Sequence, residues 1–98
     1  MTRAFGPEIL DEVHAVILQR KAAMPEGSYV ASLFESGWER IGKKVVEEAG
    51  ETIIAAAGDD PQRLAEEAAD LIFHTLVLLA EADTDPALVW KELSHRRR

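Results

Sequence analysis

Two short acidic motifs define the chemistry open to this chain: Glu47-Glu48-Ala49-Gly50-Glu51 and, further along, Glu67-Ala68-Ala69-Asp70. Residues three apart on a helix share a face, so Glu48 projects with Glu51 and Glu67 with Asp70. Carboxylates gathered in one place repel each other unless something positive sits among them. Oxygen-only ligands select a hard cation, Mg²⁺ or Mn²⁺, over zinc or copper. Either pair taken alone also suits a solvated helix face, because glutamate is a good helix former. Asp70 tilts the balance towards a site: it directly precedes an apolar run, where an unpaired carboxylate is costly to bury. On the residues alone, both readings stand.

For the two pairs to meet, their helices must fold back on each other. The first is predicted over residues 38–57, with Ile41, Val45, Ala49 and Thr52 along one stripe and Val46, Ile53 and Ala57 beside it. Gly58-Asp59-Asp60-Pro61 breaks the pattern. Gly58 ends one helix, while Asp60 and Pro61 read as the N-cap and first residue of the next. That helix is predicted over residues 61–82. Beyond Asp70 it is apolar nearly all round (Leu71, Ile72, Phe73, Leu76, Val77, Leu78, Leu79), as befits a central helix or one in a subunit interface. So short a turn makes the two helices antiparallel neighbours, with both acidic pairs roughly seven to twelve residues from it and at similar height.

The flanking chain is helical too. Pro7 suits a first turn, and Ile9, Leu10, Val13, Val16 and Ile17 recur at helical spacing towards residue 23. Residues 24–28 read as a loop with Ser28 as N-cap, followed by a short helix over 29–35 that closes near Gly37. Asp85 and Pro86 open a last helix bearing Leu88, Val89, Trp90 and Leu93, and the chain ends His95-Arg96-Arg97-Arg98. Trp38, Trp90 and Phe34 are expected in the core. The basic tail either complements the negative end of the last helix or is simply solvated. With no strand-length alternation and no repeat, the expected fold is all-α: a compact helical bundle forming a single domain over residues 1–98.

Composition narrows the classes. Ninety-eight residues without cysteine give one thin core with no disulfide or thiolate site to reinforce it, so self-association is an expected source of further burial. A net charge of −7 argues against a general nucleic-acid binder. Setting aside the five clustered acids leaves the rest of the chain at only −2. Residues 1–11 lack the basic start and apolar stretch of a signal peptide. The run over residues 68–80, at about 13 residues, is too short to span a bilayer. A cytoplasmic protein is expected, with neither membrane nor nucleic acid as partner.

The order ExxE then ExxD resembles that of the MazG-type all-α NTP pyrophosphatases. The match is closer to the phosphoribosyl-ATP pyrophosphatases of histidine biosynthesis. It is carried by Pro25-Glu26-Gly27-Ser28-Tyr29-Val30-Ala31-Ser32-Leu33, by Gly37 and Arg40-Ile41, and by Lys43-Lys44-Val45-Val46-Glu47-Glu48-Ala49-Gly50-Glu51. It continues through Glu67-Ala68-Ala69-Asp70-Leu71-Ile72-Phe73-His74 and Leu76-Val77-Leu78-Leu79, so it spans residues 9–93. Val46, Val30 and Phe73 stand where that family often has Gly, Thr and Tyr. None of these departures removes an acid.

The resemblance implies Mg²⁺ (or Mn²⁺) held by Glu48, Glu51, Glu67 and Asp70, with Glu47 as general base for the attacking water. It implies phosphoribosyl-ATP as substrate, split to phosphoribosyl-AMP and pyrophosphate. It also implies a homodimer and a functional link to phosphoribosyl-AMP cyclohydrolase. Lys43, Lys44, Ser28, Tyr29 and His74 become candidates for binding substrate, each with a plainer role beside it. Lys43 with Glu47 and Lys44 with Glu48 form i,i+4 pairs. Ser28 caps, Tyr29 packs, and His74, one turn beyond Asp70, is a core histidine or an orienting partner. A housekeeping NTP pyrophosphatase and a non-enzymatic helical module are the alternatives.

Overall fold

Capping residues mark out the helices. In a computed structural model that describes residues 5–97, five of them follow one another: α1 (Ile9–Ala23), α2 (Tyr29–Ser36), α3 (Trp38–Ala56), α4 (Pro61–Glu81) and α5 (Ala87–Ser94). No strand occurs among the described residues. The Ser28 hydroxyl accepts from Ala31 N–H at 3.1 Å and starts α2. Asp60 accepts from the backbone N–H groups of Gln62 and Arg63, and Pro61 opens α4, as predicted. Asp85 accepts from Ala87 N–H at 2.9 Å at the head of α5. Between α2 and α3 the single residue Gly37 adopts φ 92° and ψ −179°, a conformation that residues with a side chain essentially cannot share. That one glycine lets two helices meet end to end at an angle.

The core is a small cluster of Ile17 from α1, Leu33 from α2, Ile41 from α3, and Leu76, Val77 and Ala80 from α4. Phe34 and Phe73 pack against it, so Phe34 lies where the sequence placed it. The largest helix contact is between α3 and α4; α4 also packs on α1, and α2 bridges α1 and α3. At the far end, the Lys21 ammonium donates to the Ala80 carbonyl at 2.6 Å and to Asp83 at 2.9 Å, pinning α1 to the end of α4.

Several apolar residues are not where the sequence put them. Trp38 is 66% exposed and Trp90 is also on the surface, so neither tryptophan belongs to the core. Val46 and Ile53 face outward, with Ile54 beside them. The cause is a rotation of the α3 stripe, whose buried members are Ile41, Glu48 and Ala55. α5 buries none of its residues and makes no extensive contact with another helix. Arg96 and Arg97 are exposed beyond it, and Arg98 lies outside the described residues. Among the described residues, no helix is long and apolar enough to cross a membrane.

Candidate metal centre

Ile41, Glu48 and Ala55 recur every two turns of α3 and face α4. Glu48 is therefore carried inside by the same periodicity that buries its apolar neighbours, and it is only 6% exposed. Opposite it, α4 presents Glu67, partly buried, and Asp70, exposed. One carboxylate oxygen from each of Glu48, Glu67 and Asp70 lies within 4.8 Å of the others. Although Asp70 directly precedes the apolar run, it lies at the rim, and Glu48 is the buried member.

Among the described residues, Glu48 Oε2 and Glu67 Oε2 are buried without a hydrogen-bond partner. Buried polar atoms are normally satisfied, so two orphaned carboxylate oxygens side by side are costly. An all-oxygen donor set with unspent lone pairs fits a hard divalent cation. Glu51 lies outside the triad, but its carboxyl acts on that of Glu67 and is the main cause that lifts Glu67 above the ordinary carboxylate range. Desolvation and the charges of Glu51 and Glu48 add to it, and Arg63 opposes it.

The two lysines behave differently. Lys44 Nζ stands 3.2 Å from Glu48 Oε1 and 3.7 Å from Glu47 Oε2. Its hydrogen bond to Glu48 raises its pKa, outweighing desolvation, with smaller help from Tyr29, Glu48 and Glu47. The expected Lys43–Glu47 pair does not form among the described residues. Lys43 is exposed, one residue round the helix from the cluster, and Glu47 leans towards Lys44 instead. Glu47 keeps its side chain about half in solvent.

Tyr29 and His74 reach the same place from another direction. Tyr29 Oη lies 2.8 Å from His74 Nε2, and His74 Nδ1 lies 2.8 Å from the Asp70 carbonyl oxygen. His74 is 5% exposed and held edge-on by the rings of Phe73 and Tyr29. Both of its nitrogens are spent on protein groups, so it stands here as an orienting partner rather than a free contact. Tyr29 and Ser28 line an open groove of about 620 Å³, with Ser32, Glu35 and the loop before α2. A second groove of about 390 Å³ runs between α1 and α4; it is lined by Ile9, Leu10, Val13, Phe73 and Leu76, with Asp70 at its margin.

Comparison with known proteins bears on this arrangement. The family model described as "Phosphoribosyl-ATP pyrophosphohydrolase" matches residues 10–97. The chain is 54% identical over 89 residues to a phosphoribosyl-ATP pyrophosphatase of Geobacter sulfurreducens, covering 91% of this chain and 82% of the relative. It is 47% identical over 88 residues to one from Azospirillum brasilense, covering 90% and 79% respectively. It is also 47% identical over 90 residues to the histidine biosynthesis bifunctional protein HisIE of Thermus thermophilus, covering 92% of this chain and 42% of that longer one.

Proposed function

Because the chain belongs to the phosphoribosyl-ATP pyrophosphohydrolase family, we propose that it hydrolyses phosphoribosyl-ATP to phosphoribosyl-AMP and pyrophosphate in histidine biosynthesis. The observation that carries this reading is the convergence of Glu48, Glu67 and Asp70, with two orphaned buried oxygens, beside the Lys44 ammonium. Glu48, Glu67 and Asp70, with Glu51 beside Glu67, would hold Mg²⁺ or Mn²⁺. Such a cation offsets charge on the phosphate oxygens and on the leaving pyrophosphate. Lys44 binds phosphate oxygens, and Glu47, half in solvent, takes the proton from the attacking water. Water adds across the α–β anhydride, and the bridging oxygen leaves with pyrophosphate. Lys43 and Ser28 stand at the edges of this site as further substrate contacts. Mg²⁺-dependent pyrophosphate release from phosphoribosyl-ATP is expected to exceed that from ATP and deoxynucleoside triphosphates at least tenfold in kcat/KM. Preference for the ordinary triphosphates would overturn the assignment.

Residues 1–98 act in this reading as one catalytic domain of a cytoplasmic homodimer. The chain exposes 7231 Å², whereas a folded monomer of 10.8 kDa exposes about 5500 Å². Its radius of gyration, 14.7 Å, exceeds the roughly 13 Å of a self-contained domain of this length. The uncovered surface includes α5, the groove between α1 and α4, and Ile53 and Ile54, each with some 70% of its area in solvent. Equilibrium sedimentation at tens of micromolar is expected to give twice the chain mass; a monomer would remove this part of the reading. Fusion in the bifunctional relative supports a working link to a second pathway enzyme, phosphoribosyl-AMP cyclohydrolase.

A further inference from the structure

The hydrogens of the Tyr29–His74 pair are fully committed. The Asp70 carbonyl oxygen only accepts, so the His74 Nδ1 at 2.8 Å from it carries the proton. In the neutral ring Nε2 is then an acceptor. Tyr29 Oη, 2.8 Å away, must donate its single hydrogen to it. The phenol oxygen is left with lone pairs only. Its surroundings agree. Ser28 is occupied as the cap of α2, Ser32 Oγ donates to the Tyr29 carbonyl, and Lys44 lies against Glu48 and Glu47 with no hydrogen bond to Tyr29 among the described residues. Tyr29 itself is half-exposed and lines the 620 Å³ groove.

Phosphate oxygens are acceptors and gain nothing from an oxygen with no hydrogen left to give. A sugar hydroxyl is a donor. Resting on the nucleotide reading above, we infer that His74 is a positioning residue that makes Tyr29 an acceptor for a ribose hydroxyl of the substrate. Tyr29 touches the sugar, and His74 acts only through it. The phosphates are left to Lys44 and the acid-bound cation.

Asparagine at position 74 can place a donor near Nδ1 but offers Tyr29 no acceptor, while glutamine can place an acceptor near Nε2. Tyr29→Phe and His74→Asn are each expected to raise KM for phosphoribosyl-ATP about five- to tenfold, the scale of one hydrogen bond, with kcat within about twofold. His74→Gln stays near wild type, and the Tyr29→Phe/His74→Asn double variant is no worse than either single one. Inhibition by ribose 5-phosphate weakens with KM, whereas inhibition by inorganic pyrophosphate does not change. Equal weakening of both inhibitors, or additive losses in the double variant, would overturn the inference. Tyr29→Phe removes only a half-exposed hydroxyl, so it decides the question even where a histidine variant folds poorly. A wild-type protein inert towards phosphoribosyl-ATP would instead defeat the family-based reading, whereas turnover with KM unmoved in Tyr29→Phe defeats the sugar contact alone.

Discussion

Glu67→Gln is expected to lower Mg²⁺-dependent pyrophosphate release by about a thousandfold, while the cation-free protein becomes as stable as the wild type or more so at pH 7.5. The two effects share one origin. Glu67 sits in a cluster that raises its pKa above the ordinary carboxylate range, chiefly through the carboxyl of Glu51. Between the unfolded and the raised folded value the native state binds more protons than the unfolded one. Stability therefore falls as pH rises through that window, and the full penalty is present above it. Glutamine keeps the size of the side chain and does not titrate, so the penalty disappears together with the ligand. Melting curves in EDTA at pH 7.5 and 4.5 check the sign: any advantage of the variant belongs at pH 7.5 and fades towards 4.5. Near-native turnover at limiting Mg²⁺ would remove Glu67 from the ligand set.

Mg²⁺ is expected to stabilise the wild-type fold by about 2.7 kcal/mol when free metal is a hundredfold above its dissociation constant. For a domain of this size that corresponds to a rise of roughly 10–20 °C in melting temperature. A cation held in the cluster would offset the repulsion that raises Glu67 and would reach the orphaned oxygens of Glu48 and Glu67. Protons compete for the same oxygens, so the rise should shrink towards about pH 4.5, within the ordinary carboxylate range. The measurement is a pair of melts, in EDTA and in millimolar Mg²⁺, at both pH values and matched ionic strength. Equal melting temperatures at pH 7.5, with a non-hydrolysable nucleotide analogue present as well, would leave the acids as a solvated face.

Much of this was legible in the sequence because it depends on local rules. Asp60 and Pro61 mark the turn whatever surrounds them, and the three-residue spacing of each acidic pair fixes a shared face. The failures come from the rotation of α3. The predicted stripe of Ile41, Val45, Ala49 and Thr52 is buried or half-buried, but of that face only Ile41 lies deeper than Glu48. The seven-residue recurrence of Ile41, Glu48 and Ala55 was available as a signal that Glu48 does not face water. The same rotation turned Val46 and Ile53 outward and left Lys44, not Lys43, at the cluster. Trp38 and Trp90 were missed for another reason: hydrophobicity alone does not say whether a side chain finds its cover within one chain. The Tyr29–His74 bond joins residues 45 positions apart, and no local pattern encodes it.

All the clustered acids lie within α3, α4 and the four-residue turn between them. That confines the site to one helical hairpin, the kind of unit a chain is expected to assemble early. Gathering the charges is then expected on the rate-limiting climb towards the native state rather than at its final locking. A cation that relieves their repulsion would consequently be felt in the speed of folding, with less effect on the speed of unfolding.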